Sequence, residues 1–213
     1  MLSFLEDNDQ ATAAAARNFV ARVLGLATHE ISLDSKVELS HEQIGKLLPL
    51  LQRLQSGEPL AYVEGSVGFY KHDFAIDSRA LIPRADSEVV VELCLENLTD
   101  KSPLRLLDVG SGSGCLIISL LSALPRANGV AIDIEVGALE LTALNAQTIG
   151  VDQRLQLLRS DCLAGLDVAD KFDLIVSNPP YITYGEELGA SVAEHEPHSA
   201  LFVTDGDAMQ FYR

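Results

Sequence analysis

Apolar residues recur at helical spacing in the first part of the chain. Between Ala11 and Leu24 they place Ala15, Phe19 and Val23, continued by Leu26, on about one face, which predicts an amphipathic helix. Ser40-His41-Glu42-Gln43 has the form of a capping box, in which a serine hydroxyl and a glutamine amide each satisfy one backbone N–H at a helix start. It opens a second helix, with Ile44, Leu47, Leu48, Leu51 and Leu54 on its apolar stripe and an end near Gly57. Pro49 falls inside that stripe, where a missing N–H predicts a kink or a split into two helices. Nothing in this module looks catalytic, and on the residues alone it is a stabilising cap.

Beyond Gly65 the pattern changes. Val67 to Ile76 and Ser78 to Ile82 predict two extended segments, a hairpin linker, before a helix from about Asp86 to Leu98. Leu104–Val109, Gly129–Asp133, Leu155–Leu158 and Phe172–Ser177 are then short apolar runs suited to buried strands, and Cys115–Leu124 is an apolar helix behind the first of them. Strands alternating with helices predict an α/β fold. The Phe172–Ser177 strand would be an uncovered apolar edge, although a fully buried strand normally has neighbours on both sides. The expectation is therefore a fragment of a longer protein, with C-terminal strands missing.

The strand ends carry the candidate chemistry. Asp108-Val109 runs into Gly110-Ser111-Gly112-Ser113-Gly114 before the helix at Cys115. Glycines let a backbone approach a ligand closely, and a helix N-terminus offers free N–H groups. Dinucleotide-binding turns space their glycines differently, and here Cys115 takes the place of the third glycine. Asp108 is also awkward beside a pyrophosphate, whereas it suits a cofactor with a cationic amino-acid part such as S-adenosyl-L-methionine. Asp133 ends the next strand, where a carboxylate can take both ribose hydroxyls. Asp161 and Cys162 follow the third, placed to accept from an adenine amino group and to pack beside its ring. Each acid taken singly could instead cap the next helix. Three consecutive strand ends with suitable groups, followed by a fourth at Asn178, point to ligand binding across the carboxyl ends of a sheet.

The fourth strand ends in Asn178-Pro179-Pro180-Tyr181. An amide nitrogen has its lone pair delocalised and is a poor nucleophile. An Asn oxygen and a proline carbonyl can each accept one of its N–H bonds, and a Tyr ring can pack on the planar group, which localises the lone pair and aims it. Two prolines stiffen the turn that presents them. Taken alone, the same residues could be a strand ending in a proline turn.

Asp-x-Gly-x-Gly-x-Gly, the ribose acid and Asn-Pro-Pro-Tyr resemble the class I S-adenosylmethionine-dependent methyltransferases that methylate amino groups. Gly57-Glu58-Pro59-Leu60-Ala61-Tyr62-Val63-Glu64-Gly65, Phe69-Tyr70 and Leu81-Ile82-Pro83-Arg84-Ala85-Asp86-Ser87-Glu88 closely resemble the peptide chain release factor glutamine methyltransferases, the HemK/PrmC family. The resemblance implies a Rossmann-like class I methyltransferase fold, incomplete here, with a small N-terminal all-α domain and a β-hairpin linker. The implied boundaries are 1–65 for a helical substrate-docking domain, 66–84 for the linker and 85–213 for the methyltransferase domain. Within the family the stretch Gly206–Arg213 begins a helix that further strands follow. The implied reaction methylates the side-chain N5 of the glutamine in the Gly-Gly-Gln motif of release factors. Its catalytic residues would be Asn178, Pro179, Pro180 and Tyr181, and its cofactor residues Gly110, Ser111, Gly112, Ser113, Gly114, Asp133, Asp161, Cys162 and Asn178. The chain departs from the family pattern at Gly68, often acidic, and at Cys162, often aromatic.

Composition narrows the alternatives. With 15 Lys and Arg against 31 Asp and Glu, the formal charge is −16, and no basic run is present. A nucleic-acid amino methyltransferase needs clustered cations for phosphates, so an acidic chain favours a basic protein substrate and no direct nucleic-acid contact. A ribosomal-protein glutamine methyltransferase and a non-catalytic binding protein of the same fold are the other readings. Cys94, Cys115 and Cys162 form no Cys-x-x-Cys pair and are expected to be reduced. His195 and His198 have no further ligand beside them in sequence, so no metal is expected. The acidic start Met1–Asp7 has no secretory pattern and no apolar run is long enough for a bilayer, which predicts a cytoplasmic protein without membrane contact.

Overall fold

The computed structural model describes residues 10–31, 38–98, 103–167, 169–183, 185–186, 188–203, 207 and 211, with the backbone alone at 10–16, 30 and 190. Two compact units make up the chain, 1–64 and 65–213.

In the first unit α1 spans Gln10–Leu24 and buries Phe19, Ala21 and Leu24, with Val23 and Leu26 half-buried. The side chain of Ala15, expected on the same face, lies outside the described residues. The capping box forms as expected: Gln43 N–H donates to Ser40 Oγ at 3.1 Å and Ser40 N–H to Gln43 Oε1 at 3.0 Å. The Gln43 amide also donates to the Leu24 carbonyl at 3.2 Å, so one side chain closes the end of α1 and the start of α2. Helix α2 runs unbroken over His41–Gln55 with Pro49 inside it, so of the expected kink or split the split does not occur. Leu47 is buried on the stripe, whereas Ile44 and Leu48 are exposed. Ile31 and, in α3 (Leu60–Glu64), Tyr62 and Val63 are also buried.

The second unit opens with a hairpin of β1 (Ser66–Phe69) and β2 (His72–Ala75), both drawn from the first of the two segments expected to pair. Tyr70, at φ 54°, reverses the chain within that segment, and Ser78–Ile82 forms no strand. Phe69 and Phe74 meet edge to face at 6.1 Å between ring centres. After a 3-10 turn at Ala85–Ser87, α4 covers Glu88–Asn97. A parallel sheet follows, built from β3 (Arg105–Val109), β4 (Asn128–Asp133), β5 (Leu155–Arg159) and β6 (Leu174–Ser177) in the order β5-β4-β3-β6. Helix α5 (Cys115–Ala123) links β3 to β4, and α6 (Val136–Ile149) links β4 to β5.

Burial tracks this order. The central strands are apolar on both faces, with Leu106 turned to one core and Leu107 to the other. The larger core joins Leu106 and Ala131 to α4, α5, α6 and the hairpin phenylalanines, and the smaller one holds Leu107, Val130 and Ile132. The outer strands β5 and β6 are only partly buried, and Ile175 on β6 is 56% exposed. Ile182 then pairs with Phe202 beyond α7 (Ala190–His195) and α8 (His198–Leu201). The stretch expected to begin a further helix, Gly206–Arg213, lies outside the described residues except for Asp207 and Phe211. Among the described residues no helix is long and apolar enough to cross a membrane.

Candidate active site

The carboxyl ends of β3, β4, β5 and β6 open into one cleft of about 910 Å³. Gly110, Ser111, Gly112 and Ser113 line it from the end of β3 and Asp133 from the end of β4. Asp161 and Cys162 line it beyond β5, and Asn178, Pro179 and Pro180 beyond β6. Gly114 is buried outside that lining: an added Cβ would stand 2.7 Å from Ile118 Cδ1 and 2.8 Å from Thr142 Cγ2. Tyr181, 62% exposed, is also outside the lining.

The glycine loop differs from a phosphate cradle in one respect that decides its chemistry. Gly110 and Ser111 both donate their N–H groups to the Ile132 carbonyl, at 2.8 and 2.9 Å, and Gly114 N–H donates to the Ser111 carbonyl at 2.7 Å. Gly112 N–H donates to Asp133 Oδ2 at 2.9 Å. These loop donors are spent inside the protein and are not available to a ligand. What the loop offers a ligand is close approach to bare backbone, with acids beside it.

Those acids set the field. Asp133 also accepts the Glu135 N–H at 3.0 Å through Oδ1, which holds the carboxylate in place and leaves a second lone pair on each oxygen. Asp108 lies beneath the loop, 1% exposed, and neither of its carboxylate oxygens has a well-formed hydrogen bond among the described residues. Burial, against the pull of the nearby Ile117 backbone N–H and with the charge of Asp133 adding to it, pushes its carboxyl up to about 7. Arg79, which lines the cleft, is already paired with Asp77 at 2.8 Å, and Arg84 nearby in sequence pairs with Glu196 at 2.7 Å. A cleft whose loop N–H groups are engaged, whose Arg79 is paired and whose strand ends carry Asp133 and Asp161 disfavours a pyrophosphate and fits a cationic ligand. S-adenosyl-L-methionine, with its sulfonium and ammonium charges, meets that description.

Several supporting residues give no local signal in the sequence. Thr142 Oγ1 donates to the Gly112 carbonyl at 3.0 Å, and Asn145 Nδ2 donates to the Ser113 carbonyl at 2.9 Å. Asn145 also exchanges bonds with Ala75, accepting its N–H at 2.7 Å and donating to its carbonyl at 3.0 Å, and so ties the hairpin to the loop. Two polar residues three positions apart on the buried face of α6 were the available hint. At the other end of the site, Ser177 Oγ donates to the Val109 carbonyl at 2.6 Å, fixing the root of the Asn178–Tyr181 turn to β3.

Comparison with known proteins agrees with this architecture. Residues 87–195 match the family model "Methyltransferase small domain", and residues 2–65 match "PrmC N-terminal domain". A release factor glutamine methyltransferase of Chlorobaculum tepidum is 34% identical over 210 residues, covering 93% of this chain and 70% of its own. One from Caulobacter vibrioides is 36% identical over 202 residues, covering 93% and 68%. A bifunctional methyltransferase of Rickettsia felis is 36% identical over 212 residues, covering 86% of this chain and 40% of its own. The chain thus spans between 40% and 70% of the length of the curated relatives it matches. S-adenosyl-L-methionine is the cofactor that goes with the matched methyltransferase domain. With the N-terminal and methyltransferase portions both matched, and relatives covered over two thirds of their length, the chain belongs to the release factor glutamine methyltransferase family.

Proposed function

We propose that the protein transfers a methyl group from S-adenosyl-L-methionine to the side-chain N5 of the glutamine in the Gly-Gly-Gln motif of release factors, in the cytoplasm. The observation that carries this reading is that Asn178, Pro179 and Pro180 line the same cleft as Asp133, Asp161 and the glycine loop. A group able to hold a carboxamide therefore shares one space with acids suited to a cationic methyl donor.

Gly110, Ser111, Gly112 and Ser113, over the Asp108 carboxyl, hold the methionine part of the cofactor. Asp133 takes the ribose hydroxyls, and Asp161 and Cys162 take the adenine. When bound, S-adenosyl-L-methionine supplies a methyl carbon on a sulfonium sulfur that leaves with the carbon–sulfur electron pair. Asn178 Oδ1 and the Pro179 carbonyl accept the two N–H bonds of the glutamine amide, and Tyr181 packs on its plane. This localises the nitrogen lone pair for in-line attack on the methyl carbon. The N-methylated amide is strongly acidic while it carries the extra proton and releases it to solvent, so no histidine is needed as a base. Residues 1–65 dock the release factor, residues 66–84 link them to the catalytic domain, and residues 85–213 hold the cofactor.

Mass spectrometry after incubation with isotopically labelled cofactor and a release factor tests the assignment. One labelled methyl on the loop glutamine is the expected product. A methyl on a ribosomal protein or on a nucleic-acid amino group would replace the substrate, and no transfer to any of them would favour a binding protein of this fold.

A further inference from the structure

Glu196 is a carboxylate 3% exposed, placed where two distant segments of the second unit meet. Its Oε1 accepts from the Arg84 guanidinium at 2.7 Å and its Oε2 from the Ile82 backbone N–H at 3.2 Å. A carboxylate is removed from water at a large solvation cost unless a cation and further donors receive it, and both conditions are met here. The flanking residues are walls of the cleft: Leu81 and Pro83 on one side, Pro197 and His198 on the other.

The contact continues toward the proline turn. From Pro197 the chain runs through α8 to Leu201, whose carbonyl accepts the Ile182 N–H at 3.1 Å, and Val203 N–H donates to the Ile182 carbonyl at 2.9 Å. Ile182 directly follows Tyr181. The prolines fix the internal shape of the Asn178–Tyr181 turn, but they do not fix where the turn sits. Its root is held to β3 by the bond from Ser177, at the end of β6, to the Val109 carbonyl. Its far end is held through Ile182 by the segment that Glu196 anchors.

Resting on the methyl-transfer reading above, we propose that Glu196, held by Arg84, is a positioning residue. It fixes the far end of the Asn178–Tyr181 turn and so sets the aim of the acceptor amide.

Glu196→Gln keeps the side-chain volume and an acceptor for Ile82 but removes the charge, Arg84→Gln removes the cation, and Arg84→Lys retains it. In steady-state transfer to a release factor, kcat is expected to fall about tenfold in either Gln variant, as for one lost charge-assisted contact. Arg84→Lys should recover most of it, and Arg84→Gln/Glu196→Gln should lose no more than either single variant, because both act through one contact. The cofactor Kd by isothermal titration should stay within about twofold of wild type, since the glycine loop and Asp133 are untouched. Hydrogen exchange reads the device without turnover. In the double variant, which leaves no unpaired buried charge, the Ile182 and Val203 amides should exchange about tenfold faster while the β3 and β4 amides do not change. Unchanged exchange at Ile182 and Val203, an unaltered kcat, or a cofactor Kd weakened in step with kcat overturns the proposal. Wild-type protein that transfers no methyl overturns the activity reading and the role in transfer with it, whereas the exchange result stands or falls separately.

Discussion

Asp108, 1% exposed and with no well-formed hydrogen bond to either carboxylate oxygen among the described residues, is made sensitive to pH by its burial. Its folded-state value, raised from the ordinary 3.8 to about 7, means that the folded protein holds a proton which the unfolded chain has already lost between those limits. Stability from this group is therefore complete below about pH 3.8 and declines as pH rises to about 7, by about 1.4 kcal/mol per pH unit and roughly 4 kcal/mol in all. Urea midpoints of the ligand-free protein measured from pH 4 to pH 8 should fall less steeply in Asp108→Asn than in wild type. Superimposable slopes would mean that Asp108 is already ionised in the folded state. Asn178 and Asp133 line the same cleft yet should separate kinetically. On the proposed reading Asn178→Ala removes an acceptor for the reacting nitrogen, so kcat should drop by about 2.7–4 kcal/mol of barrier with the cofactor Kd little altered. On the same reading Asp133→Ala removes the proposed ribose acceptor, and it also frees the Gly112 and Glu135 N–H groups, so the cofactor Kd should weaken by roughly tenfold to a hundredfold. A normal Kd in the Asp133 variant, or normal turnover in the Asn178 variant, would remove the corresponding role.

Among the elements, the loop between β3 and α5 combines two kinds of glycine. Gly110 at φ 75° has nothing within 4 Å of an added Cβ, whereas Gly114 at φ 79° would drive a methyl into Ile118 and Thr142. Gly110→Ala should cost about 1–2 kcal/mol of stability from the left-handed backbone alone. Gly114→Ala should cost more, about 2–4 kcal/mol, because overpacking is added to the same strain. Thermal melts of the two variants compare them directly, and equal losses would mean that the Ile118–Thr142 contact yields easily. The run Gly110–Gly114 was legible in the sequence as a loop before a helix, but the different work of its members was not, since that depends on α6 lying behind Gly114. Central strands were legible because β3 and β4 are apolar on both faces, and the capping box of α2 because both partners are local. The hairpin was misplaced because Ser78–Ile82 has a strand-like composition while the reversal at Tyr70 carries no Gly, Asn or Asp signal. Glu196 and Arg84 were invisible as a pair because they lie 112 positions apart and only the folded chain joins them.

At the scale of the molecule the formal charge of −16 sets what can approach. Such charge repels polyanions and draws in basic partners, and its reach shrinks as the screening length falls from about 10 Å at 0.1 M salt to roughly 3 Å at 1 M. The two substrates of the proposed reaction should respond differently. A protein acceptor meets the field over a wide area, so its association rate, and through it kcat/KM, should fall several-fold between about 0.05 and 0.3 M salt. The cofactor is small and is held at short range by groups at the strand ends, so its Kd should change less over that interval. Initial rates at limiting acceptor, beside cofactor titrations in the same buffers, make the comparison. If kcat/KM for the acceptor instead rose with salt, the protein surface would be repelling its partner, and the preference for a basic protein substrate argued from charge would have to be abandoned.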